Sequence, residues 1–318
     1  VIAFEGGTKM IFTLTMNPCL DRYIYVDELV VDDTIRAKKV VDYPAGKGID
    51  VSRVIRELGG VSIAIALVGG DTGRKLEEML DKEGVIYTSI RVPQETRMNV
   101  ILETSKGQYR ISMPGEKISA KKLQVVLEVL NALVRERDTV VVSGSLPKGV
   151  AAEFYTGIIF SLKQWGATVY FDADGDKLKA GLIGQPDYIK PNLHEFQRLI
   201  GKHMSHQDEI ISEARKIIEH FELKGILLTL GGKGAYLITL DKVLYTKSVE
   251  VKVKSAVGAG DSFLAGFVLK KEEGLPDEEA LRWANAAGTA AVLTPGTRLC
   301  RRADVEKLLE RIEVVRIM

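Results

Sequence analysis

Ser255-Ala256-Val257-Gly258-Ala259-Gly260-Asp261-Ser262-Phe263 is the stretch that orders the rest of the chain. Ahead of it, over 249–254, Val249, Val251 and Val253 alternate with Glu250, Lys252 and Lys254, the period of a half-buried strand. Behind it, an apolar, helix-compatible run reaches Leu269 and ends at the charged residues 270–273. Two glycines in three positions, then Asp and Ser, predict a turn feeding a helix N-terminus. Such a turn leaves backbone N–H groups without intrahelical acceptors and aims them at one spot, which suits an anion. A carboxylate among those donors is placed to take a proton from an alcohol while the N–H groups hold developing negative charge. The same residues also read as a plain glycine turn with Asp261 capping its helix.

Upstream, short apolar segments at 10–15, 62–68, 139–142, 168–172, 188–190 and 226–230 alternate with helical periodicities. Helices are also expected at about 276–293 and 303–312. This alternation predicts an α/β fold with a mostly parallel sheet covered on both faces. The rhythm breaks at 87–92, 98–103 and 108–113, three extended segments in succession with Lys106-Gly107 as a hairpin turn. Further extended segments at 23–31 and 35–43 flank the turn Asp32-Asp33. Together they predict a small inserted sheet, a β-lid formed from about 20–44 and 87–113, within a single domain over 10–318. Residues 1–9 precede a methionine that opens a strand and are set aside as an extension of no assigned role.

Lysine and arginine total 44 against 43 acidic residues, so no overall field points to nucleic acid or to an anionic membrane. Cys19 and Cys300 are too few and too distant for a disulfide framework or a cysteine zinc site. No apolar run approaches the ~18 residues of a membrane span, and no signal peptide is legible, so a cytoplasmic protein is expected. His203 and His206 lack neighbouring ligands and do not make a metal site. No Gly-x-x-x-x-Gly-Lys-Ser/Thr occurs, the dinucleotide fingerprint lacks its third glycine, and the His-Arg-Asp and Asp-Phe-Gly elements of protein kinases are missing.

In chain order the sequence carries Asn17-Pro18-x-Leu20-Asp21, Gly46-Lys47-Gly48-Ile49, Ser143-Gly144-Ser145-Leu146-Pro147, Lys190-Pro191-Asn192-x-x-Glu195, Thr229-x-Gly231-x-x-Gly234-Ala235 and the opening Gly258-Ala259-Gly260-Asp261. This set resembles the PfkB/ribokinase family of sugar kinases, from Met10 almost to the end. The first motif, with Gln108-Tyr109-Arg110 and Met113-Pro114-Gly115, resembles the branch of phosphofructokinases and tagatose-phosphate kinases. Gly46-Lys47-Gly48 with Ile35-Arg36-Ala37-Lys38 most resembles the 1-phosphofructokinases.

The resemblance implies a ribokinase-like three-layer fold and transfer of the γ-phosphoryl group of MgATP to fructose 1-phosphate at its 6-hydroxyl. Tagatose 6-phosphate or fructose 6-phosphate, phosphorylated at the 1-hydroxyl, are the alternatives within the family, and a non-catalytic sensor of sugar phosphate or nucleotide is the alternative outside enzymes. On this reading Asp261 is the general base, and the N–H groups of the turn formed by Gly258, Ala259 and Gly260 hold the transferring phosphoryl group. Asp21, Gly46, Lys47, Asp50, Asn99 and Ser143 meet the sugar. Arg36, Arg97 and Arg110 suit the phosphate it already carries, because a guanidinium binds phosphate bidentately. Lys190, Thr229, Gly231, Gly234 and Asn285 line the nucleotide. Asn192 and Glu195 order water around magnesium, although Asn-x-x-Glu at a helix start is also a capping box.

Magnesium is expected to come with ATP, and a potassium-type ion near residues 255–258 is a family property. A homodimer through the lid follows from its extended edges. Asp50 departs from the pattern, since the family has Asn there, and a carboxylate loses the amide donor and adds charge.

Overall fold

The computed structural model describes residues 9–318; residues 1–8, most of the expected extension, lie outside them. The chain begins with β1 (Ile11–Thr15), β2 (Cys19–Tyr25), β3 (Lys39–Ala45), α1 (Lys47–Glu57), β4 (Ile63–Val68), α2 (Gly70–Glu83) and β5 (Ile86–Arg91). A hairpin of β6 (Arg97–Thr104) and β7 (Gly107–Ile111) precedes α3 (Ala120–Leu133) and β8 (Thr139–Ser143). Then come α4 (Glu153–Gln164), β9 (Thr168–Asp172), α5 (Asp176–Ile183), β10 (Tyr188–Ile189), α6 (Leu193–Ile200) and α7 (Gln207–Phe221). The last part holds β11 (Gly225–Thr229), β12 (Ala235–Ile238), β13 (Val243–Thr246), α8 (Ala259–Glu272), α9 (Asp277–Ala291), α10 (Arg302–Leu309) and β14 (Val314–Arg316).

Ten strands form the main sheet in the order β14-β13-β12-β11-β10-β9-β8-β1-β4-β5. The run from β11 to β5 is parallel, and β12, β13 and β14 continue it antiparallel. Alternate residues of a strand point to opposite faces, and the core divides accordingly. Phe12, Leu14, Val140 and Val142 pack with α3, α4, α5, α6 and α7. Ile11 and Val141 pack with α1, α8, α9 and α10. Strands buried on both faces explain the continuous apolar runs in the sequence. Among the described residues no helix is long and apolar enough to cross a membrane.

The second sheet has the order β3-β2-β6-β7, with β2 and β6 parallel. Residues 87–92, expected in the lid, instead supply β5, which pairs parallel with β4 after the α2 crossover and buries Ile90 in the main core. A third extended segment in succession does not require a third lid strand; the chain passes from one sheet to the other at 92–96. The segments expected at 23–31 and 35–43 are shorter as strands, because 27–38 is an exposed loop. Residues 249–254 are not a strand: Val249 and Val251 lean on the core, Val253 is 61% exposed, and β14 occupies the edge of β13.

Candidate active site

The C-terminal ends of the parallel strands are where an open α/β sheet gathers ligand-binding groups. Thr15, Ser143 and Asp172 end β1, β8 and β9 in register, Lys190 follows β10, and Thr229 ends β11. Above them sits the glycine turn. Gly258 has φ 76°, and a Cβ there would lie 2.3 Å from Leu299 Cδ2, so glycine is required on both counts. α8 starts at Ala259 with no side-chain cap. Asp261 therefore does not cap its helix. The N–H groups of Ala259, Gly260 and Asp261 belong to the first turn, which has no intrahelical acceptors.

Around Asp261 stands a cluster of charges. Asp172, fully buried, accepts from Lys47 Nζ at 3.0 Å on Oδ1, and Lys190 Nζ lies 3.2 Å from Oδ2. Lys190 Nζ is also 3.2 Å from the point a Cβ on Gly260 would occupy, which puts its ammonium at the helix N-terminus. Burial pushes the Asp261 carboxyl up to about 6; Lys47 and Lys190 oppose the rise, and Asp172 and Glu195 add to it. Burial also works against the charge on Asp172, but the two lysines outweigh it and hold its carboxyl below the ordinary value. For Lys47 burial favours the neutral amine, and Asp172, Asp261 and Glu195 reverse this so that its pKa is raised. Two ammonium groups are thus fixed, charged and beside the base.

Asp172 is absent from the residues expected from sequence. Its one local signal is an acid ending an otherwise apolar strand, TVYFD. Ser143, which was expected, is fully buried beside it, and its Oγ has no hydrogen-bond partner.

Gly46 links the lid to α1. At φ 130° a side chain is strained, and a Cβ would meet Thr15 Cγ2 at 2.7 Å. The backbone therefore passes close over β1, and Lys47 enters the helix beside the charge cluster. Asp50, 5% exposed in the first turn of α1, accepts from Arg53 Nη1 at 3.0 Å. Burial pushes its carboxyl well above the ordinary range; Arg53 opposes this, and Asp261 and Asp21 add to it. Arg53 was not foreseen either. It donates twice to Glu83, at 2.6 and 2.9 Å, and also to the carbonyls of Pro44 and Thr297 at 2.8 and 3.1 Å.

On the lid, Asp21 lies within β2 rather than on a loop. Its Oδ1 accepts from Asn99 Nδ2 and its Oδ2 from Thr297 Oγ1, each at 2.8 Å. Pairing puts Asp21, Asn99, Arg97 and Arg110 on one face of the sheet. Arg97, expected to grip a phosphate, spends its guanidinium on the carbonyls of Asn17 and Met113 and on Asn99 Oδ1. Arg110 is exposed and bonded to Gln108, and Arg36 lies apart on the exposed loop.

The nucleotide-side residues also meet. Asn192 and Glu195 form the capping box, with Asn192 Oδ1 accepting from Glu195 N at 2.9 Å and Glu195 Oε2 from Asn192 N at 2.8 Å. Glu195 stays within electrostatic reach of Asp261 and Lys47, so the cap also faces the site. Thr229 N donates to Pro191 O, and a tight turn from Gly231 to Lys233 leads to Gly234. Asn285 stands behind this loop with its amide committed: Nδ2 donates to Thr246 Oγ1 and Lys247 O, and Oδ1 accepts from Ser248 Oγ. It holds the loop's neighbour in place, and no amide hydrogen is left over for a base.

Residues 14–304 match a family described as the pfkB family of carbohydrate kinases. The chain is similar to the ATP-dependent 6-phosphofructokinase isozyme 2 of Escherichia coli (strain K12), with 34% identity over 305 residues covering 94% of this chain and 97% of that protein. It is similar to the 1-phosphofructokinase of Bacillus subtilis (strain 168), with 32% identity over 308 residues covering 97% and 100%. Its fold matches the crystal structure of phosphofructokinase-2 from Escherichia coli in complex with potassium, with a TM-score of 0.91 and 33% identity over 95% of this chain and 99% of that one.

Proposed function

Since the chain belongs to the pfkB family of carbohydrate kinases, phosphotransferases with an alcohol acceptor, we propose that it transfers the γ-phosphoryl group of ATP to the 6-hydroxyl of fructose 1-phosphate. The observation that carries this is Asp261 at an uncapped helix N-terminus, with the Lys47–Asp172–Lys190 cluster on one side and Asp50 and Asp21 on the other. Asp261 accepts the hydroxyl proton as the new O–P bond forms and the bond to ADP breaks. The N–H groups of Ala259, Gly260 and Asp261, with the two ammonium groups, hold the charge on the moving phosphoryl group. Asp21 and Asn99 meet sugar hydroxyls. Arg110, on the same lid face, is the arginine with donors to offer the existing phosphate, since Arg97 is occupied.

Thr229, Gly231 and Gly234 line the nucleotide, and Asn285 supports them. Magnesium bound with ATP supplies charge neutralisation of the phosphates. Asn192 and Glu195 fit its water shell, Glu195 through the oxygen that the capping box leaves unused. A monovalent cation is carried over to the loop at 255–258, which is tied through the N–H groups of Lys254 and Ser255 to Val292 O.

A second reading, fructose 6-phosphate phosphorylated at its 1-hydroxyl, is favoured by the 34% identity to the isozyme 2 enzyme. Both give fructose 1,6-bisphosphate. ADP release measured on fructose 1-phosphate, fructose 6-phosphate, tagatose 6-phosphate and unphosphorylated sugars, in potassium and in sodium, is expected to be fastest on fructose 1-phosphate in potassium. A best rate on fructose 6-phosphate or tagatose 6-phosphate replaces the substrate assignment, and a best rate on a bare sugar refutes the phosphate-gripping lid as well. Equal rates in the two salts remove the ion.

The lid also supports a homodimer. Its outer face carries the cross-strand row Val40, Ile24, Leu102 and Tyr109, flanked by Val100 and Ile111. Val40, Tyr109 and Ile111 are about half exposed, at 52%, 49% and 48%. An apolar sheet face of this kind is covered by a partner in a stable protein, and a second lid is its natural complement. Sedimentation at micromolar concentration is expected to give twice the chain mass, and Val40→Lys with Tyr109→Lys a monomer. A wild-type monomer sinks the idea.

A further inference from the structure

Asp50 is the one buried carboxyl beside the site whose charge has no counter-ion of its own. Arg53 is its single hydrogen-bond donor, and Arg53 is already held by the two-point pair with Glu83 and by two carbonyls. Counted together, Arg53, Glu83 and ionised Asp50 carry one net negative charge. The groups facing Asp50 from other elements do not offset it. Asp21 and the Cys19 thiol come from β2 and Asp261 from α8. The strands β1, β4 and β8, packed on α1, contain no ionisable residue. On β3, Asp42 is taken by Arg22 and Lys75, and Tyr43 is a neutral phenol. Lys47 and Lys190 are engaged with Asp172.

Three carboxyls thus converge on the pocket that must receive a phosphorylated, anionic sugar. We propose that Asp50 is a specificity-determining residue that carries a proton when the phosphosugar binds and donates a hydrogen bond to one of its hydroxyls. Neutral Asp50 supplies the donor that an amide would give at this position, and it removes one of the three negative charges. Burial already favours the protonated form, so little work is needed to keep it neutral. The cost is a pH limit: as Asp50 ionises, the donor is lost and a repulsive charge appears. Affinity for the phosphosugar then falls toward alkaline pH while the site keeps its shape.

This rests on the phosphosugar-kinase reading, and the test separates the two. Equilibrium dissociation constants for the three phosphosugars are measured calorimetrically, without turnover, on wild type and Asp50→Asn. For the sugar that binds, the wild-type constant is expected to rise at least about tenfold between about pH 6.5 and about pH 8.5, and that of Asp50→Asn less than about twofold. In buffers of different ionisation heat, wild type at the alkaline end is expected to take up about one proton more than the variant on binding. Asn is isosteric and keeps the acceptor for Arg53; ionisation of the sugar's own phosphate is common to both proteins. Equal slopes, or proton uptake that persists in Asp50→Asn and so belongs to Asp21 or Asp261, overturn the proposal. A flat wild-type profile does so without the variant. Failure of both proteins to bind any of the three sugars overturns the phosphosugar reading itself and the Asp50 proposal with it.

Discussion

Asp261→Asn is expected to lower kcat by about a thousandfold, the middle of the range for loss of a positioned general base, while both substrates still bind. The amide keeps the shape and leaves the helix N-terminus, Lys47 and Lys190 in place, so positioning and charge stabilisation survive. Only the acceptor of the hydroxyl proton is lost. Wild type carries a second signature. With the carboxyl pushed up to about 6 by burial, the base is ionised above that value and protonated below it, so kcat/KM should fall about tenfold per pH unit on the acid side. The variant should lack this limb.

The sign for stability runs the other way. A carboxyl whose folded value lies above its unfolded one disfavours folding once ionised, so Asp261→Asn should unfold at the same or a higher temperature at neutral pH. Single-turnover phosphoryl transfer and thermal unfolding read both effects. Unchanged turnover removes Asp261 as the base, and a sensor without catalysis then becomes the better account.

Arg53→Met is expected to cost about 3–5 kcal/mol of stability, the range for removing one partner of a buried ion pair. The side chain is 5% exposed, and its donors join α1 to α2 through Glu83, to β3 through Pro44 O and to the loop after α9 through Thr297 O. Methionine fills the volume but satisfies none of them, and it leaves Asp50 without a donor. By contrast, Lys38 with Asp27 on the exposed loop is a surface pair, worth at most about 1 kcal/mol. Urea unfolding should show a lower midpoint with an unchanged slope. A loss below about 1 kcal/mol would mean that water replaces Arg53 at these carbonyls and that it is not a structural joint.

What the sequence makes legible is what local pattern determines. Apolar runs bounded by glycines announce the parallel strands, and the lone glycine pair before Asp261 announces the anion-binding helix start. Side-chain choice among competing partners is not local, and there the reading falls short. Arg97 has the chemistry for phosphate, yet the carbonyls of Asn17 and Met113 are within its reach and take it. Residues 87–92 look like the lid strands that follow, but their pairing is decided by β4, which precedes them by a helix. Asp172 has no flanking motif, and its importance comes from Lys47, 125 residues away, and from Lys190. Residues 249–254 alternate as a strand does, but no free strand edge is available to them.

The parallel pairing of β2 with β6 has a consequence for how the molecule assembles. It joins residues such as Asp21 and Asn99, 78 positions apart, and α1, β4, α2 and β5 lie between them in the chain. Closing so long a loop before those elements have docked has a large entropic cost and little to offset it. The lid is therefore the last part of this region to take shape in folding and the first to come apart, and the half of the site that holds Asp21 exists only once the other half does.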